Sequence, residues 1–224
     1  MTTPPTILPF RDRFDAGRRL APQLSGYAGR PDVLVLGLPR GGVPVAYEVA
    51  KALGAPLDVF LVRKLGVPGY EELAMGAVAT GGVRVLNEPV ARGLGIGADV
   101  IDTAAAREEQ ELARRELLYR GDAPPLEIQG HVVILVDDGL ATGSTMHAAI
   151  RALRAMGPTG IVVAAPVGAP EACAQLRDEA EEVICAIAPP AFRAVGRWYE
   201  DFSQTTDEDV RQLLARATPT GHAV

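Results

Sequence analysis

Cysteine, histidine and aromatic side chains are scarce in these 224 residues: two Cys, three His, and only 5% Phe, Trp and Tyr. Cys173 and Cys185 have no metal-ligand spacing and are expected to be buried or incidental thiols of a cytosolic protein. His131, His147 and His222 form no visible cluster. No apolar run reaches the ~20 residues that span a bilayer. The stretch Met1 to Pro9 lacks the basic and long apolar regions of a secretory signal. Positive charge is also short, with 22 Lys and Arg against 28 Asp and Glu and a net charge of −6, which argues against an electrostatic nucleic-acid footprint. The expectation is a cytoplasmic protein with neither nucleic acid nor membrane as partner.

What the chain has is apolar residues, 48% of the total, enough for the core of one large domain. That domain is expected over 1–217, with 218–224 as a disordered tail. Short apolar runs alternate with glycine-rich turns and helical patterns. Strands are expected at Asp32 to Leu36, Leu57 to Val62, Val83 to Leu86, Val132 to Val136, Ile161 to Pro166 and Glu182 to Ile187. Helices are expected at Phe14 to Leu24, Val43 to Leu53, Ala98 to Tyr119, Met146 to Met156, Pro170 to Ala180 and Thr206 to Ala217. This alternation predicts an α/β fold with right-handed βαβ units, a central and mainly parallel sheet, and flanking helices.

The most informative stretch is Val132 to Thr145. Five apolar residues, Val132-Val133-Ile134-Leu135-Val136, read as a strand buried on both faces. Asp137 and Asp138 follow at its C-terminal end, where ligands of open α/β sheets bind. After Gly139-Leu140 comes Ala141-Thr142-Gly143-Ser144-Thr145, opening into a helix. Such a loop offers backbone N–H groups, hydroxyls and the positive end of a helix dipole, which suits a phosphate. Two strand-end carboxylates suit vicinal hydroxyls. Together they suit a sugar phosphate held at both ends. A Ser/Thr helix cap after an acidic turn explains one hydroxyl but not the whole series.

These residues resemble the signature of type I phosphoribosyltransferases, which use 5-phosphoribosyl-1-pyrophosphate (PRPP). The resemblance covers roughly Asp12 to Ala217, and its specific parts are two loops. It implies that Asp137 and Asp138 bind the ribose hydroxyls and that Ala141, Thr142, Gly143, Ser144 and Thr145 wrap the 5′-phosphate. It also implies a pyrophosphate loop after the first strand, often with a cis peptide and a basic residue. Leu38, Pro39, Arg40, Gly41 and Gly42 match that place and character, although an ordinary βα turn with an exposed Arg fits them as well. Arg63 and Lys64 are expected to end the second strand. Lys64 is a candidate to join Arg40 on pyrophosphate, or else one of a solvated basic pair.

The family's mobile closing loop falls at Val67 to Gly82, where Glu71 and Glu72 have no assigned role. Ala141 stands where the 6-oxopurine branch has an Asp, which points away from hypoxanthine and guanine. The resemblance implies a variable hood over the acceptor, with elements at about 1–25 and 189–217, and the tail Phe192 to Phe202 falls in it. There Phe192 and Trp198 either stack on a flat acceptor or anchor the tail to the core. This tail resembles a poorly characterised bacterial branch of the family more than its purine or pyrimidine salvage enzymes. Ala106 to Arg120 reads as a solvated, charge-paired helix.

The implied activity is Mg²⁺-dependent transfer of the phosphoribosyl group to a nitrogen nucleophile, a nucleobase or similar aromatic acceptor, with release of pyrophosphate. Asp137, Asp138, Arg40 and Lys64 carry it, and the two Asp meet Mg²⁺ mostly indirectly. A PRPP-sensing regulator with little or no transferase activity is the alternative. A sugar-phosphate hydrolase lacks a recognisable water-activating base. The acceptor and the oligomeric state stay open, a homodimer being common in the family.

Overall fold

The computed structural model describes residues 8–217, with backbone only at 71 and 72. Residues 1–7, part of the expected hood, and the tail expected at 218–224 lie outside that range. Asp12 caps the first helix by accepting from the Asp15 N–H at 2.7 Å, so α1 runs Arg13–Leu20, and Pro22 turns its end into a 3₁₀ segment, Ala21–Tyr27. Strand β1 (Val33–Gly37) leads through a glycine turn to α2 (Gly42–Leu53), which Gly54 ends in the left-handed conformation. Then come β2 (Leu57–Val59), β3 (Val62–Val67), β4 (Tyr70–Ala79), β5 (Val83–Leu86), α3 (Glu88–Gly93) and α4 (Ala98–Arg120). The second half runs β6 (Val132–Val136), α5 (Ser144–Ala155), β7 (Gly160–Val167), α6 (Pro170–Leu176), β8 (Glu182–Ile187) and α7 (Asp207–Ala217).

The main sheet has the parallel order β2-β1-β6-β7-β8. Its inner strands are buried along almost their whole length, every residue of β1 and β7 included, as sheets covered on both faces require. Leu36, Leu135, Met146, Ile150 and Val163 belong to the core on one face; Val35, Val45, Val49, Ile134 and Val162 belong to that on the other. The expected α/β architecture is therefore present.

The structure corrects the expectation for Leu57 to Val62 as one strand. The parallel pairing stops at Val59; the Phe60 N–H donates to Gly37 O at 3.1 Å, and the Leu61 N–H donates to the buried Thr80 hydroxyl at 2.9 Å. The chain then leaves the sheet and forms a separate antiparallel sheet, β3-β4-β5. Arg63 and Lys64 thus stand on β3 instead of ending the second parallel strand, and the stretch expected as a closing loop is mostly the β3–β4 hairpin. Helix α4 is charge-paired as expected, but it also buries Ala105, Leu112 and Tyr119 and ties the small sheet down through Arg63–Glu108 and Arg84–Glu109. The expectation of two unpaired thiols is also corrected. Cys173 of α6 and Cys185 of β8 lie across one layer contact and form a disulfide.

Candidate functional site

Two loops leave the C-terminal ends of neighbouring strands and meet there. The first follows β1. Its turn begins with the Leu38 N–H donating to Val136 O at 2.9 Å, so it is bonded to the end of β6. The Pro39–Arg40 peptide is cis, and the Gly42 N–H closes the turn on Leu38 O at 3.0 Å. The second loop follows β6, where the Asp137 N–H donates to Ala164 O at 3.3 Å. Leu140 is then held between strands, its N–H donating to Val167 O at 2.9 Å and its carbonyl accepting from Ala169 N–H at 2.8 Å. Gly143 takes the left-handed conformation, φ 71°, and α5 begins at Ser144.

The expected 5′-phosphate residues are brought together as one helix-entry loop. The Thr142 and Ser144 hydroxyls lie 3.3 Å apart. Thr145 lines a crevice with Leu38, Pro39 and Arg63, so the two loops share a wall. Lys64 is placed differently from the expectation. Its Nζ donates to Ser144 Oγ at 3.4 Å, at the loop after β6 rather than the one after β1. Arg40 is held at the far side by Asp207, 3.7 Å away at the start of α7, whose carboxylate also accepts from the Tyr119 hydroxyl at 2.5 Å.

Asp137 and Asp138 sit at the junction, both half-buried. Asp137 Oδ1 accepts from the Asp138 N–H at 2.8 Å. Burial and the neighbouring Asp138 charge hold the Asp137 carboxyl well above the usual carboxylate range. Burial also raises Asp138, against the opposing pull of the Arg13 guanidinium. The first loop packs directly on this pair. A Cβ on Gly41 would lie 2.7 Å from Asp138 Cγ, with Oδ2 closer still, and one on Gly42 would lie 2.6 Å from Val136 O.

Several residues that the sequence did not single out complete the site. Arg13 Nε donates to Asp138 Oδ2 at 2.8 Å. The Tyr199 hydroxyl donates to the Asp138 carbonyl at 2.6 Å, and its pKa is pushed up by burial and by the Asp138 charge. Val195 covers Gly139 so closely that a Cβ there would meet its Cγ2 at 2.8 Å. The tail after β8 thus crosses the sheet edge as a hood, but different rings from the expected ones touch the acidic pair. Phe192 and Trp198 pack against the cluster of Phe10, Ala16, Val167 and Tyr199, which is the anchoring arrangement. Tyr199 and Phe202 are the rings beside Asp138 and Arg13. Only the density of aromatics in this segment signalled them.

Among the described residues no group of three or more His, Cys, Asp or Glu forms a metal cage. The available donor set is the two adjacent carboxylates, hard oxygen ligands of the kind Mg²⁺ takes while keeping waters.

An open parallel sheet with a glycine turn after one strand, an acid pair and helix-entry loop after its neighbour, and a hood across both defines an α/β protein with its candidate site at the strand ends, where such sheets bind ligands. The chain belongs to the phosphoribosyl transferase domain family, whose match covers residues 6–198. It is 48% identical over 208 residues to a Mycobacterium tuberculosis protein named "Putative phosphoribosyl transferase". That match takes in 93% of this chain and 47% of the relative, so the chain spans about half that relative's length. It is 33% identical over 120 residues to "Bifunctional protein PyrR" of Chloroflexus aurantiacus, covering 53% of this chain and 60% of that one. A solved structure of a Thermus thermophilus protein superposes with a TM-score of 0.86 at 45% identity, over 93% of this chain and 99% of that one. No described helix is long and apolar enough to cross a membrane.

Proposed function

We propose that the chain transfers the 5-phosphoribosyl group of PRPP to a nitrogen nucleophile, a nucleobase or similar flat acceptor, releasing pyrophosphate. The observation that supports this reading is the meeting of the two loops, the glycine turn packing at Gly41 against the acid pair at Asp138, beside the helix entry at Ser144.

In this reading the backbone N–H groups and hydroxyls of Ala141 to Thr145 hold the 5′-phosphate, and Lys64 adds its charge from β3. Asp137 and Asp138 accept the ribose 2′ and 3′ hydroxyls. Leu38 to Gly42 hold pyrophosphate, the Arg40 guanidinium exchanging its Asp207 contact for the leaving group. Asp137 and Asp138 would hold Mg²⁺ largely through water, and the ion, when bound, supplies neutralisation of pyrophosphate charge. Positive character develops at ribose C1 as the pyrophosphate bond stretches, and the acceptor nitrogen enters on the opposite face. The chain contributes positioning and charge. The hood, fastened through Phe192, Trp198 and Tyr199, keeps water from the reacting carbon. With a nucleobase acceptor the product is a nucleotide. PRPP and the acceptor are the partners, and no membrane or nucleic acid takes part.

Pyrophosphate release from PRPP and Mg²⁺ across purines, pyrimidines and aromatic amines tests the reading. Release with one acceptor supports it and names the substrate. Tight PRPP binding without release for any acceptor replaces it with a PRPP sensor.

A further inference from the structure

We propose that Arg13 is a positioning residue that sets Asp138 for the ribose and makes PRPP binding depend on the hood; this rests on the phosphoribosyl reading above. Arg13 opens α1, 125 residues before Asp138, and its side chain is only 12% exposed. Two distant parts of the chain, the acid pair and the hood, converge on its guanidinium. Nε donates to Asp138 Oδ2 at 2.8 Å, Nη1 donates to Ser203 O at 2.6 Å, and the Phe202 ring lies 4.0 Å from Cζ.

The planar fork has five N–H donors with fixed directions, so anchoring Nη1 and the flat face in the hood fixes the line along which Nε meets the carboxylate. Arg13 engages Oδ2, which leaves Oδ1 as the arm for a sugar hydroxyl. It also places a positive charge beside two adjacent carboxylates that receive a polyanionic ligand. Without Arg13 the Asp138 side chain loses its outer tether, keeps the repulsion of Asp137, and turns freely about its side-chain bonds. A shift in Phe202 or Ser203 reaches Asp138 through a single side chain.

The test is calorimetric titration of PRPP with Mg²⁺ into the full chain, for wild type, Arg13→Met, Asp138→Asn and the double variant, with thermal melts alongside. Arg13→Met is expected to weaken PRPP binding roughly tenfold, while in the Asp138→Asn background the same change costs about twofold or less, because interacting residues are not additive. Arg13→Lys is expected to recover part of the loss, and Phe202→Leu to show the same background dependence from the hood side. Equal losses in both backgrounds, or no loss from Arg13→Met, overturn the proposal while leaving the phosphoribosyl reading standing. If Arg13→Met melts early, Arg13→Lys and Phe202→Leu decide the matter by the same comparison. Absence of PRPP binding by the wild type overturns this proposal and the phosphoribosyl reading together.

Discussion

Gly41 and Asp138 share a contact that only glycine permits. A methyl group on Gly41 would stand 2.7 Å from Asp138 Cγ and 3.1 Å from Arg13 Nε, so Gly41→Ala must push the Asp138 carboxylate out of place. The clash falls on a side chain, Asp138, rather than on main chain. The expected outcome is a large loss of PRPP affinity with a melting temperature close to wild type. Gly42→Ala is expected to do the reverse in part. Its Cβ meets main chain, Val136 O at 2.6 Å and Asp137 Cα at 2.9 Å, which cannot rotate away. Overpacking of this kind costs about 1–3 kcal/mol, visible in a melt. Similar melts for the two variants would contradict the distinction.

Asp137 carries opposing demands. Its carboxyl is raised by burial and by the charge of Asp138. A raised acid binds its proton more tightly in the folded chain, so its contribution is fully present below the ordinary carboxylate value, about 4, and is lost as pH climbs through the raised value. Above the ordinary carboxylate value the buried group is therefore a cost to the folded chain. Asp137→Asn keeps the Oδ1 that accepts from the Asp138 N–H and removes that cost. We expect it to melt higher at pH 7, by about 1 kcal/mol of stability, to show no such gain at pH 4, and to bind PRPP poorly. Melts at the two pH values, with a PRPP titration, check this. A lower melting point at pH 7 would contradict it.

Lys64 and Arg40 are expected to separate two ends of the ligand. Lys64 reaches Ser144 of the helix-entry loop, whereas Arg40 belongs to the glycine turn after β1. Lys64→Met should weaken ribose 5-phosphate roughly tenfold and leave pyrophosphate nearly unchanged, and Arg40→Met should do the opposite. Competition of each ligand against PRPP measures both. A loss of pyrophosphate alone in Lys64→Met would return that residue to the leaving-group side.

The Cys173–Cys185 disulfide joins α6 to the edge strand β8 and closes a loop with a sequence separation of 12. Constraining the unfolded chain over such a loop is worth about 2–3 kcal/mol. In a protein of this size, loss of that amount lowers the melting temperature by roughly 5–10 °C. Melts with and without a dithiol reductant, and of Cys173→Ser, should show that drop. Identical midpoints would show that the bond contributes nothing.

The parts of the molecule that were legible in the sequence are those written locally. Val132 to Thr145 carries strand, acid pair, loop and helix start in one run of chain, and the structure builds it in that order. The glycine turn after β1 is equally local. The break after Phe60 was not legible, because Leu57 to Val62 is a largely apolar run in which a distant partner, the Thr80 hydroxyl, takes the Leu61 N–H after the last bond to β1. Helix α3 is six residues long and has no periodicity to read. Arg13 is one of four arginines within nine residues around α1, and nothing nearby marks the one that crosses to Asp138. The same limit applies to the tail: its aromatic richness announced a hood, but which rings face the acid pair depends on packing against Phe10 and Val167.

The central claim is that the junction of the two loops is a PRPP site. Calorimetric titration of PRPP with Mg²⁺ into wild type and into the Asp137→Asn, Asp138→Asn double variant tests it most directly. The account predicts saturable binding by the wild type and its loss in a double variant that still melts cooperatively. Equal binding by both, or no binding by the wild type, would contradict it.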